Sequence, residues 1–147
     1  MGDDSIKVWD GKDFSLLKTV DKNNGGHSNS VRSLAVSDNG RIASGSSDGT
    51  IKVWESDFTL FKTLNSHTSG VYALIFTRDG CLISGSLDCT IKVWSKQYDL
   101  LRTLNNDGKV VLSLAITSDG LLVSGSGNGD IKVYSKKYEL KRTISEN

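Results

Sequence analysis

Several groups of residues have types that could do chemistry. Gly125-Ser126-Gly127-Asn128-Gly129 has the glycine density of a phosphate cradle. It lacks the Gly-Lys-Ser/Thr ending and a following helix, and it reads as a turn. Cys81 and Cys89 are the two cysteines, standing without CxxC or Cys/His spacing. Nothing in that pattern supports a metal site or a redox pair, so Cys81 reads as a strand residue and Cys89 as a turn residue. Lys132, Lys136, Lys137, Lys141 and Arg142 make the C-terminal stretch basic. A patch for nucleic acid or an acidic partner is one reading of them. The reading favoured here is that they keep an outer strand soluble and unpaired. Serine, histidine and aspartate, the parts of a hydrolase triad, are all present. Neither Ser44 nor Ser84, the serines that pair with a histidine and an aspartate in the repeats below, is the central serine of a G-x-S-x-G elbow.

The elements that must position these residues are bounded by composition. The 147 residues are 37% hydrophobic and 24% charged, which suits one globular domain with a real core. No apolar run approaches the roughly 20 residues of a spanning helix, and no N-terminal stretch has the form of a signal peptide. A net charge of +1 argues against a general nucleic-acid or membrane-surface binder. Two isolated cysteines and the absence of an N-x-Ser/Thr site predict no disulfide framework and an intracellular, cytoplasmic setting.

Self-similarity organises the rest. SIKVWD, TIKVWE, TIKVWS and DIKVYS begin at Ser5, Thr50, Thr90 and Asp130. Ile51 to Ile91 is 40 residues, and Ile91 to Ile131 is 40 again, whereas Ile6 to Ile51 is 45. One extra residue falls between Trp9 and Thr19, and four fall in the Gly- and Asn-rich stretch from Asp21 to Ser30. A period near 40 is the length of one propeller blade.

Each unit predicts four short strands. Val31–Val36, Val71–Phe76 and Val111–Ile116 are first strands, closed by Asn39-Gly40, Asp79-Gly80 and Asp119-Gly120, dipeptides suited to tight hairpins. RIASGS, CLISGS and LLVSGS carry the second strands, IKVW or IKVY the third, and LFKTL, LLRTL or LKRTI the fourth. The N-terminal copy supplies only a third strand, Ile6–Trp9, and a fourth, Leu16–Val20. The expected fold is all-β, a propeller of four-stranded antiparallel blades. A half-blade over 1–20 precedes full blades over about 31–64, 71–104 and 111–144.

These residues resemble the WD-repeat (WD40) family, whose pattern has Gly-His before the first strand, Ser-Gly-Ser-x-Asp at the second turn and Trp-Asp after the third strand. The first full unit matches with Gly26-His27, Ser44-Gly45-Ser46-Ser47-Asp48 and Trp54-Glu55; the second with His67, Ser84-Gly85-Ser86-Leu87-Asp88 and Trp94-Ser95. The third unit departs from the pattern, with Asp107, Asn128 and Tyr134 at the His, Asp and Trp positions. The resemblance implies a buried hydrogen-bond chain inside each blade: Trp54, Ser44, His27 and Asp48, then Trp94, Ser84, His67 and Asp88. Read as triads, the same sets would mean two active sites, each with a tryptophan that already explains the hydroxyl, so they read as structural. Both histidines are thereby used, leaving none for a transition metal.

The resemblance also implies a partner-binding end face around the central channel. Its residues would be Ser30, Arg32 and Ser47; Gly70, Tyr72 and Leu87; and Val110, Leu112 and Gly127. The function expected is a scaffold or adaptor for other proteins, not an enzyme, with no cofactor and neither membrane nor nucleic acid as partner. The alternatives are a hydrolase using a channel or Ser-His-Asp site, or an inactive fragment of a longer WD-repeat protein. Three and a half blades do not close a ring, which typically takes 4–8. Doubling to seven fails on strand types, because both half-blades would be third and fourth strands. A partner, imperfect self-association or a missing N-terminal portion of a longer propeller would complete it. The last is favoured here, because Met1 falls where the second turn's Ser-x-Asp should stand.

Overall fold

The computed structural model describes residues 4–145; the sequence position of Met1 lies outside them. The fold is all-β. β1 (Ile6–Trp9) and β2 (Leu16–Val20) form a two-stranded antiparallel sheet, the half-blade. Blade 1 consists of β3 (Val31–Val36), β4 (Ile42–Ser46), β5 (Ile51–Trp54) and β6 (Leu60–Leu64). Blade 2 follows with β7 (Val71–Phe76), β8 (Leu82–Ser86), β9 (Thr90–Trp94) and β10 (Leu100–Asn105), and blade 3 with β11 (Val111–Ile116), β12 (Leu122–Ser126), β13 (Ile131–Tyr134) and β14 (Leu140–Ile144). Within each sheet every strand pairs antiparallel with its sequence neighbour, so each blade is a meander.

Period-2 alternation would leave one face of a lone sheet wet, yet both faces of β5 are covered. Ile51 and Val53 are buried on one face and Trp54 on the other, because the blade is sandwiched between neighbours. Three apolar clusters do this. Ile6 and Val20 of the half-blade pack with Ile42 and Trp54, Ile51 and Val53 with Leu82 and Trp94, and Ile91 and Val93 with Leu122 and Tyr134. The first strands β3, β7 and β11 lie side by side at the inner edge.

The extra residues after β2 do not form a plain loop. Lys22–Asn24 is a single 3-10 turn. Asp21 accepts from the Asn23 amide at 2.8 Å, Asn24 Oδ1 accepts from the Asp21 amide at 2.7 Å, and Gly25 closes it at φ 91°. This reciprocal capping absorbs the longer first interval without disturbing the blades.

Candidate functional site

Two constellations sit at the same end of the blades, where the loops before the first strands meet the turns between second and third strands. The first lies inside blades 1 and 2. In blade 1, Trp54 Nε1 donates to Ser44 Oγ at 2.9 Å, and Ser44 Oγ lies 2.8 Å from His27 Nε2. His27 Nδ1 lies 3.0 Å from Asp48 Oδ2. A carboxylate accepts only, so Nδ1 carries the proton and Nε2 accepts from the serine. Blade 2 repeats this with Trp94 to Ser84 at 2.9 Å, Ser84 to His67 at 2.8 Å and His67 to Asp88 at 2.7 Å. Burial pushes both imidazoles below the ordinary value, outweighing the opposing pull of Asp48 and Asp88. The imidazoles are therefore neutral at pH 7. Burial tends to raise the two carboxyls, but hydrogen bonds from Thr50 and Thr90 and the facing histidines hold them low.

The chain is longer than the sequence reading. Thr50 Oγ1 donates to Asp48 at 2.7 Å and Thr90 Oγ1 to Asp88 at 2.6 Å, while the amides of Ser28 and Thr68 reach the same carboxylates. Thr in SDGT and LDCT was the available signal, two residues after each aspartate. Ser44 and Ser84 are wholly buried.

Blade 3 replaces the relay with ions. Ser124 Oγ is buried without a hydrogen-bond partner. Lys132 Nζ instead reaches Asp107 Oδ2, at the histidine position. Its counterparts Lys52 and Lys92 reach outward to Thr63 at 3.4 Å and Thr103 at 3.1 Å. Lys109 Nζ pairs with Asp130 Oδ2 at 2.5 Å and holds that carboxyl far below the usual range. The reading of Lys132 as one of the basic residues that keep an outer strand soluble and unpaired is therefore corrected. It sits on the third strand, 2% exposed, and its ammonium meets the acid that stands where blades 1 and 2 carry a histidine. Lys136, Lys137, Lys141 and Arg142 are exposed.

The second constellation is the end face. Pairing of β3 with β4 passes from Val31↔Ser46 to Ser33↔Gly45, leaving Arg32 as a bulge. Tyr72 and Leu112 are bulged at the same place in β7 and β11. A bulge re-aims its side chain, and here one per blade turns toward the end face. Arg32 Nε donates to Ser47 Oγ at 2.7 Å, and its guanidinium lies 5.4 Å from the centre of the Tyr72 ring, joining blades 1 and 2. The amides of Ser47, Leu87 and Gly127 donate to the carbonyls of Ser30, Gly70 and Val110 at 2.9, 2.9 and 3.2 Å. Each predicted trio is thus brought together within its blade. Gly70 is buried beneath Tyr72 and gives shape rather than contact; a Cβ there would stand 3.2 Å from Ser47 Cα. Ser30 Oγ also donates to Asp4 at 3.1 Å. Leu112 is 43% exposed, and Tyr72, Leu87 and Val110 are half-buried.

The remaining candidates fall into place around these. Cys89 adopts φ 66° where Gly49 and Gly129 have 82° and 89°. Gly125–Gly129 is the end of β12 and the turn into β13, with no helix after it. Among the described residues no His/Cys/Asp/Glu cluster could hold a metal ion, and no helix is long and apolar enough to cross a membrane.

The model for the WD domain, G-beta repeat, matches residues 15–55, 58–95 and 98–135. The chain belongs to the WD-repeat family. Each matched repeat runs from the fourth strand of one blade to the third strand of the next, so repeat and blade are offset by one strand. The solved structure of U3-55K is 26% identical with a TM-score of 0.88, aligned over 97% of this chain and 46% of that one. The RRP9 WD40 repeats give 27%, 0.89, 97% and 45%. The computationally designed Ika8 protein gives 33%, 0.81, 97% and 43%. This WD-repeat chain thus spans less than half the length of each. No curated protein matches it.

Proposed function

We propose that this WD-repeat chain is a non-catalytic scaffold that seats other proteins on the end face built from Arg32, Ser47, Tyr72, Leu87, Val110 and Leu112. The observation that carries the reading is the bulge in each first strand. One side chain per blade is turned out of the sheet toward the same face, and the three are an arginine, a tyrosine and a leucine. Arginine and aromatic anchors are what interface centres tend to use. Arg32 is already oriented by Ser47 and Tyr72, so little side-chain entropy is lost when a partner engages it.

Burial supports the non-catalytic reading. A nucleophilic serine must meet its substrate, yet Ser44 and Ser84 are sealed, each accepting from a tryptophan and donating to a histidine. The same proposal places the protein inside the cell, in the cytoplasm, where its free thiols Cys81 and Cys89 would stay reduced.

The test compares wild type with the Arg32→Ala/Tyr72→Ala double variant for recovery of binding proteins from cell extract. A shared protein retained by wild type and lost at least tenfold by the variant, at an unchanged melting temperature, supports the face. Equal recovery removes it. An unfolded double variant would show that these residues are core and the assignment wrong. Turnover of a hydrolase substrate that Ser44→Ala abolishes would replace the scaffold with an enzyme.

A further inference from the structure

Charge is unevenly compensated across the end face. In blade 3, Lys109 is paired with Asp130 and Lys132 with Asp107, so each of these charges already has its counterion. The side chains of Asp48 and Asp88 are only 10% and 7% exposed. Each carboxylate is wrapped by a histidine, a threonine hydroxyl and two backbone amides. Asp4 is taken up by the Ser30 hydroxyl at 3.1 Å. Arg32 is the exception. Its Nε donates to Ser47 Oγ and its guanidinium lies over the Tyr72 ring. Among the described residues its two terminal nitrogens meet no acceptor. The side chain is exposed, so the outer edge of the fork is open.

Beyond Tyr72 the face turns apolar. Leu87 in the second turn of blade 2 and Val110 before the first strand of blade 3 are half-buried, and Leu112 is exposed. Gly127 makes room for them, since a Cβ there would stand 2.6 Å from Val110 Cγ2. Arg32, Tyr72 and Leu87 belong to blades that have a described sheet packed on each side. Blades added at either end of the arc would extend this face without covering those three.

Resting on the end-face assignment above, we infer that the partner presents an extended segment with a carboxylate beside aliphatic side chains. The Asp or Glu carboxylate accepts from both free nitrogens of Arg32, the paired geometry that a guanidinium fork offers. The aliphatic side chains lie on Tyr72, Leu87 and Val110, so the acid sits over blade 1 and the apolar part over blades 2 and 3. A basic segment would be repelled by an Arg32 that has no counterion. A wholly apolar one would strip water from the guanidinium and put nothing in its place. Ser47 and Tyr72 already orient the fork, so little order is lost when the carboxylate arrives.

Selection of random peptides displayed on phage against the purified 147-residue chain tests this chemistry. Enriched peptides should carry Asp or Glu together with Leu, Ile, Val or Met. Changing that acid to its amide should weaken an enriched peptide about tenfold or more on the wild-type chain, as expected for loss of a charge-assisted hydrogen bond. On Arg32→Ala the same change should matter by less than about twofold, because the coupled partner is gone. Arg32→Lys should fall between, since an ammonium keeps the charge but not the fork. Circular dichroism should be unchanged in both variants, and the acid-to-amide comparison on the wild-type chain stands even if a variant unfolds. Equal affinity of acid and amide peptides overturns the inference. Peptides without an acid that still depend on Arg32 and Tyr72 overturn it too, and leave the end face standing. Binders obtained only when phosphoserine is added to the library would assign Arg32 to phosphate and overturn the carboxylate. A selection that enriches nothing, or only peptides indifferent to Arg32→Ala/Tyr72→Ala, would remove the end face itself.

Discussion

At the scale of single residues, the tryptophan-serine-histidine-aspartate chains concentrate stability in blades 1 and 2. Trp94 is buried and its indole N–H is satisfied by Ser84. Trp94→Ala should cost about 3–5 kcal/mol, the range for a large aromatic truncation in a core. Tyr134→Ala should cost less, because Asp107 and Asn128 stand where its relay partners would be and Ser124 is unsatisfied. Urea titrations of the two variants check the ranking, and equal losses would refute it. The histidines add a pH dependence whose sign follows from their environment. Burial lowers both from the ordinary 6.5, so the unfolded chain binds protons first as pH falls. Stability should therefore be level above about pH 7 and decline as pH drops below 6.5. Melting temperatures from pH 8 to about 5 would show the slope, and the His27→Gln/His67→Gln variant should be less stable at pH 8 but flatter. The lowered carboxyls of Asp48 and Asp88 act in the same direction, in a separate window below their ordinary 3.8.

At the scale of elements, strands were legible because they recur: three sequence copies of IKVW-type segments became β5, β9 and β13 at the same register against their second strands. The 3-10 turn after β2 was not, since it depends on reciprocal capping by Asp21 and Asn24 within a stretch that has no counterpart in the other units. Blade 3 shows a further limit. Erosion of the relay was readable at Asp107, Asn128 and Tyr134, but its replacement by two ion pairs required knowing that Lys132 points inward. Lys132 is nearly enclosed whereas Asp107 lies at the surface. Asp107→Ala should lower the melting temperature by several degrees, because it strands a buried ammonium. Lys132→Met should leave it unchanged or raise it, because an apolar side chain of similar length escapes the desolvation cost. Calorimetry of both variants separates them, and equal losses would show that the pair stabilises the blade as a unit.

At the scale of the whole molecule, three apolar clusters join each sheet to the next, so stability is shared between neighbouring blades. Ile51 is wholly buried in the cluster that blade 1 shares with Leu82 and Trp94 of blade 2. Ile51→Ala should cost about 2–5 kcal/mol, the range for an aliphatic truncation in a core. Urea titration of that variant checks the value, and a loss within about 0.5 kcal/mol of zero would show that the blades do not depend on this contact.

Whereas the membership of the His27 and His67 sets rested on the resemblance to the WD-repeat family, the sequence by itself determined the all-β blade plan and the four-strand unit. These are local or periodic properties: strand period, turn dipeptides and a 40-residue recurrence are written along the chain whatever it later packs against. Tertiary structure alone decided how the end-face side chains leave the sheet and which polar groups of blade 3 and of neighbouring blades meet. Arg32, Tyr72 and Leu112 face outward because an extra residue in each first strand breaks the pairing register there. Lys132 turns to Asp107, and Arg32 reaches the Tyr72 ring, because those contacts cross from one loop or blade to the next. Such encounters depend on three-dimensional proximity, which periodicity does not encode.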